Sequence, residues 1–96
     1  MSVFFIATSS VKDMEKFQEY GGKAGQTFAP FGGTLVTKGK AEKTLVGKSD
    51  HQTVGVIGFP NMEALNDWYQ SAEYQALIPL RDAAAEMTLV TYSVPA

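Results

Sequence analysis

Apolar residues fall along the chain in blocks whose spacing alternates between the period of strands and that of helices. Residues 2–8 (Ser-Val-Phe-Phe-Ile-Ala-Thr) are dominated by aromatic and β-branched side chains and predict a strand. Both phases of this strand are apolar: Val3, Phe5 and Ala7 on one, Phe4 and Ile6 on the other, so it requires cover on both faces. From Ser10 the pattern changes. Ser10-Val-Lys-Asp13 has the spacing of a capping box, and Met14, Phe17, Tyr20, Ala24, Phe28 and Phe31 recur every three or four residues. This predicts a helix over 11–29, thinned or bent at Gly21, Gly22 and Gly25, each of which costs about 1 kcal/mol relative to alanine in a helix interior. Two explanations of these glycines are open: close approach of another backbone, or a loose helix.

Pro30-Phe-Gly-Gly33 ends that helix. Residues 34–38 predict a second strand, 39–41 a turn and Lys43-Thr-Leu-Val46 a short further arm. After a loop, residues 52–59 give the best strand in the sequence, again apolar on both phases. Asn61 is placed to cap a helix over 62–70, and Ser71 to cap another over 72–84 that Pro79 must kink or interrupt. Residues 87–94 close the chain as a strand.

The order strand, helix, strand, strand, helix, strand is the β-α-β-β-α-β plan of a ferredoxin-like sandwich, an α+β fold with both helical segments on one sheet face, here occupying residues 1–96 as one domain. Two helices cover one face only, yet the strands offer apolar residues to both. A large bare sheet face is rarely tolerated in a monomer, so the pattern predicts a homodimer packed sheet to sheet with two-fold symmetry.

Composition narrows the chemistry. A net charge of −2 provides no basic field for nucleic acid. The absence of cysteine rules out thiolate metal sites, iron–sulfur clusters and cysteine nucleophiles, and a single histidine rules out a two-histidine metal site within one chain. No metal or cofactor is expected. The apolar run Val3–Ala7 is too short for a signal peptide and nothing has the length of a membrane span, so a cytoplasmic protein without membrane attachment is expected.

One block carries a resemblance. Phe59-Pro-Asn-Met-Glu-Ala-Leu-Asn-Asp-Trp-Tyr-Gln-Ser-Ala-Glu-Tyr-Gln-Ala-Leu-Ile-Pro-Leu-Arg81 resembles the domain of unknown function 1330 family: phenylalanine, a turn, an acidic helix start, Trp-Tyr, a serine, Glu-Tyr, and arginine seven residues beyond that tyrosine. Tyr20 and Gly32-Gly33 match earlier landmarks, while Met14 stands where relatives commonly place proline. The resemblance implies a dimeric α/β barrel. It implies no single function, because the wider superfamily includes cofactor-free monooxygenases, lactone isomerases, haem-binding members and proteins without demonstrated activity.

Several side chains are candidates for a site. Arg81, beside an apolar helix face, has the geometry to clamp a carboxylate; its alternative is a structural ion pair. His51 is the one side chain expected to titrate near neutrality and is the candidate general base; its alternative is an exposed loop histidine. Tyr20, Trp68, Tyr69 and Tyr74 are candidates for an aromatic ligand pocket, or for core and dimer packing. Lys38, Lys40, Lys43 and Lys48 form a basic rim, suited to steering an anion or to protecting a sheet edge. Two functions are consistent with this set. One is binding of a small anionic or aromatic metabolite with cofactor-free proton transfer or oxygenation, in which Arg81 holds the substrate and His51 moves a proton. The other is a non-catalytic binding or interaction module built on the same dimer.

Overall fold

The computed structural model describes residues 3–95. The first strand, β1, spans Val3–Val11, and helix α1 spans Met14–Phe28. A 3-10 turn at Ala29–Phe31 leads to β2 (Thr34–Lys40), and β3 covers Thr53–Phe59. Three short helices follow: α2 (Met62–Gln70), α3 (Ala72–Gln75) and α4 (Ile78–Ala84), before β4 (Ala85–Ser93). The strands form one antiparallel sheet in the order β2-β3-β1-β4. This is the expected β-α-β-β-α-β plan, with its second helical segment broken into three.

Local differences from the sequence reading have physical causes. Ser10 does not cap α1. It pairs with Glu86 inside β1, and the helix starts four residues later, where the Asp13 carboxylate accepts from the Lys16 N–H at 3.1 Å. The predicted helix over 72–84 is two helices separated at Ala76–Leu77, with Pro79 in the first turn of α4, where a missing N–H costs nothing. The predicted arm at 43–46 is not a strand; residues 41–50 are exposed connection. The caps at Asn61 and Ser71 are as expected: Asn61 Oδ1 accepts from Ala64 N–H at 2.8 Å, and Ser71 Oγ accepts from Tyr74 N–H at 3.3 Å.

Alternation sorts the strand residues cleanly. Val3 and Phe5 of β1 pair with Phe59 and Ile57 of β3, and all four are buried under the helices. Tyr20 and Ala24 of α1, Leu65 and Trp68 of α2, and Tyr74 of α3 complete that core. The opposite phase (Phe4, Ile6, Val54, Val56, Val90, Tyr92) makes an outer face that no helix covers. Val90 and Tyr92 are each 42% exposed there, and Phe4 stacks on Tyr92 with centroids 5.2 Å apart.

Two glycines are demanded by the fold. Gly32 adopts φ +80° to end the 3-10 turn, and a Cβ on Gly33 would stand 2.9 Å from the Phe59 ring. Gly21 and Gly22 are different: a Cβ at either would meet nothing within 4 Å. No backbone of the described chain approaches them. Gly21→Ala is therefore expected to stabilise the protein by about 0.5–1 kcal/mol, seen as a higher urea midpoint at unchanged slope. A lower midpoint would show that this helix face is covered in solution.

Candidate functional site

The site grows from the caps of α2 and α3. With Asn61 fixing the start of α2, Leu65 and Trp68 point inward at helical spacing and are each 2% exposed. Ser71 Oγ donates to the Trp68 carbonyl at 2.7 Å as its lone pair caps α3, and this turn carries Tyr74 into the core, where it is fully buried. Trp68 lies flat on Phe5 (5.0 Å, 6°) and against Tyr74 (4.4 Å). Its indole N–H donates to Thr27 Oγ1 at 2.9 Å, and the Thr27 hydroxyl donates in turn to the Ala24 carbonyl at 2.7 Å. The ring is thus held at both its face and its edge.

Behind Trp68 lies a polar trio. The hydroxyls of Tyr20 and Tyr74 are 2.8 Å apart, and Arg81 Nη1 donates to the Tyr74 hydroxyl at 3.2 Å. Arg81 Nε also meets the exposed Asp82 carboxylate at 3.2 Å. Burial, reinforced by the adjacent Tyr74, pushes the Tyr20 phenol far above its ordinary value of 10.0, so it stays protonated. For Arg81, burial acts to lower the pKa, but the hydroxyls of Tyr69 and Tyr74 and the Asp82 carboxylate outweigh it and hold the guanidinium firmly charged. The cation therefore faces phenolic oxygens rather than a carboxylate on its inner side.

A cleft of about 240 Å³ opens in front of Trp68, between α2 and the β1–β4 pair. Phe5, Leu65, Trp68 and Leu89 form its apolar walls; Asn66, Tyr69, Gln70 and Thr91 supply its polar edge. Tyr69 joins the two parts of the site. It lines the cleft and packs 5.3 Å from Tyr74, whose hydroxyl accepts from Arg81. A second, wider groove of about 560 Å³ runs between α1 and α3 past Lys23, Thr27, Phe31 and Leu77.

Of the residues singled out from the sequence, Tyr20, Trp68, Tyr69, Tyr74 and Arg81 come together. His51 does not join them. Its Nδ1 lies 3.1 Å from Ser10 Oγ and its Nε2 3.1 Å from Thr88 Oγ1, both on the outer phase of the sheet. Because the Ser10 hydroxyl donates to the Asp50 carbonyl at 2.9 Å, its oxygen is left to accept from the Nδ1–H. The expectation that His51 and Arg81 act on one substrate is therefore not met within a subunit: the sheet lies between them. The sequence reading missed Thr27, Asn66, Gln70 and Thr91. Asn66, Tyr69 and Gln70 share one side of α2 at spacings of three and four, a signal that was legible. The pairing of Thr27 with a ring 41 positions away was not.

The comparisons with known proteins agree with this architecture. The family described as Domain of unknown function (DUF1330) matches residues 2–94. The chain belongs to that family. No curated protein matches it. Among solved structures it is similar to a protein of unknown function from Rhodopseudomonas palustris, with 20% identity and a TM-score of 0.82 over 98% of this chain and 82% of that one. It is also similar to SnoaB, a cofactor-independent oxygenase from Streptomyces nogalater, with 12% identity and a TM-score of 0.73 over 99% of this chain and 94% of that one. A dimeric ferredoxin-like protein of unknown function from Thermobifida fusca matches with 10% identity and a TM-score of 0.60, over 98% and 92% of the two chains. At these identities the likeness is one of fold: this DUF1330 member is a ferredoxin-like α+β protein. Among its described residues no helix is long and apolar enough to cross a membrane.

Proposed function

We propose that this DUF1330 protein works as a homodimer that takes a compact hydroxyaromatic ligand, as its anion, into the cleft before Trp68. The observation that carries the reading is Tyr69, a cleft-lining phenol packed 5.3 Å from Tyr74, whose hydroxyl holds the Arg81 cation. A planar ring fits against Phe5 and Trp68, and an oxyanion fits a hydroxyl donor whose neighbour is a fixed positive charge. The dimer is supported by the uncovered apolar face around Val90 and Tyr92, and by a structural neighbour described as dimeric.

Cofactor-free oxygenation is the reaction this arrangement suits, and SnoaB offers a precedent on the same fold. The bound phenolate, its proton already given to solvent, is electron-rich enough to reduce O2 directly. One oxygen atom ends on a ring carbon as a quinone carbonyl, and the other leaves as water with the displaced ring hydrogen and the hydroxyl proton. The protein's part is to hold the ring, stabilise the oxygen anion and keep water away. His51 has no role in this reading; it serves the outer face. One observation favours the non-catalytic alternative: Tyr20, Tyr74 and Arg81 already satisfy one another.

Trp68 is the chain's single tryptophan, so its fluorescence reports on the cleft directly. Titration with a hydroxynaphthoate should quench it saturably, and Tyr69→Phe or Arg81→Ala should weaken binding about tenfold, equivalent to about 1.4 kcal/mol. Equal affinity for the methyl ether of the same acid, whose ring oxygen cannot ionise, or no quenching, would refute the site. Oxygen uptake by the bound complex separates the oxygenase from the binding module.

A further inference from the structure

The connection between β2 and β3 is much longer than joining them requires. Lys40 and Thr53 are direct partners in the sheet, so a turn of about two to five residues would link them, yet residues 41–52 intervene. Within this connection Leu45 is 83% exposed and Val46 93%, more than any other large hydrophobic side chain described. The run Lys43-Thr-Leu-Val46 has the composition of a strand, and among the described residues it has no partner strand.

The root of the segment is tied down on one side of the sheet. Ser10 Oγ donates to the Asp50 carbonyl, and the His51 ring spans Ser10 of β1 and Thr88 of β4, both on the outer phase. The Gln52 N–H donates to the Ser9 carbonyl at 2.9 Å. The segment therefore leaves the sheet beside the apolar outer face. The arm itself is neutral, Lys43 and Lys48 balancing Glu42 and Asp50, so its apolar pair is its distinguishing feature.

We propose that residues 41–50 form an arm that packs on a second copy of this chain, burying Leu45 and Val46 there, with His51 as the pin that aims the arm. This rests on the dimer reading above and adds to it: the strand-like run that finds no partner at home finds one across the interface. A second copy is the occupant because the arm leaves the sheet beside the uncovered apolar face around Val90 and Tyr92. The dimer reading covers that face with a second copy, so the arm's apolar pair stands at the edge of that contact.

Sedimentation equilibrium on the full chain, with limited trypsin cleavage after Lys43 and Lys48, tests it. Three proteins are compared: the unaltered chain, a Leu45→Ser/Val46→Ser double variant, and Val90→Asp on the outer face. All substituted positions are exposed, and urea unfolding verifies that the variants fold. The unaltered chain should be a dimer whose arm resists trypsin. The double variant should dimerise at least tenfold more weakly and be cut rapidly, and Val90→Asp should be monomeric with an open arm. If the double variant dimerises as tightly as the unaltered chain and the arm is cut equally fast in both, the arm is refuted and the dimer stands. A chain that is monomeric throughout removes the dimer and the arm together. Leu45- and Val46-dependent binding to an oligonucleotide or an anionic vesicle, with dimerisation unchanged, would also overturn the proposal.

Discussion

Replacing Trp68 with alanine should cost about 3–5 kcal/mol, the usual penalty for emptying a large aromatic site in a core. For 96 residues the total stability expected is about 5–14 kcal/mol, so this one change removes roughly a fifth of it at the least. The size of the effect follows from how many elements the ring joins. It lies on Phe5 of β1 at 5.0 Å, touches Phe59 of β3 at 5.6 Å and Tyr74 of α3 at 4.4 Å, and is tied to α1 through Thr27. A urea titration followed by far-ultraviolet circular dichroism measures it. A loss below about 1 kcal/mol would mean that the neighbouring rings collapse into the space, and that the core is far more plastic than its stacking implies.

Tyr74→Phe should be the more damaging half of the tyrosine pair. Removing its hydroxyl leaves Tyr20 Oη buried with no partner at 2.8 Å and takes the acceptor from Arg81 Nη1. An unsatisfied buried hydroxyl costs about 1–3 kcal/mol. Tyr20→Phe should cost less, because the Tyr74 hydroxyl keeps its bond from Arg81. The double Phe variant should then be less destabilised than the sum of the singles, since both members of the pair are removed at once. Urea midpoints of the four proteins give the coupling energy. Strict additivity would show that the hydroxyls do not bond in solution.

Much of this was open to sequence reasoning because it depends on local spacing. Strands with both phases apolar announced a sheet needing two covers, and Asn61 and Ser71 announced helix starts that the structure places at Met62 and Ala72. The block from Trp68 to Arg81 converges because helical turns bring Tyr69, Tyr74 and Arg81 to one side. Features that depend on pairing between distant segments were hidden. Ser10 reads as a cap until the length of β4 draws it into the sheet opposite Glu86. Lys43–Val46 reads as a strand because composition cannot say whether a partner strand exists. His51 looked like a companion for Arg81 because no local pattern reveals which face of a sheet a loop returns to.

The central claim is that the cleft between α2 and the β1–β4 pair is where this protein meets its ligand. Amide chemical-shift mapping on the labelled chain, as a hydroxynaphthoate is added, tests it residue by residue. The predicted result is a cluster of saturating shifts at Asn66, Tyr69, Gln70, Leu89 and Thr91, together with the Trp68 indole N–H. Shifts confined to the groove by Lys23 and Phe31, or to the outer face around His51, would contradict it.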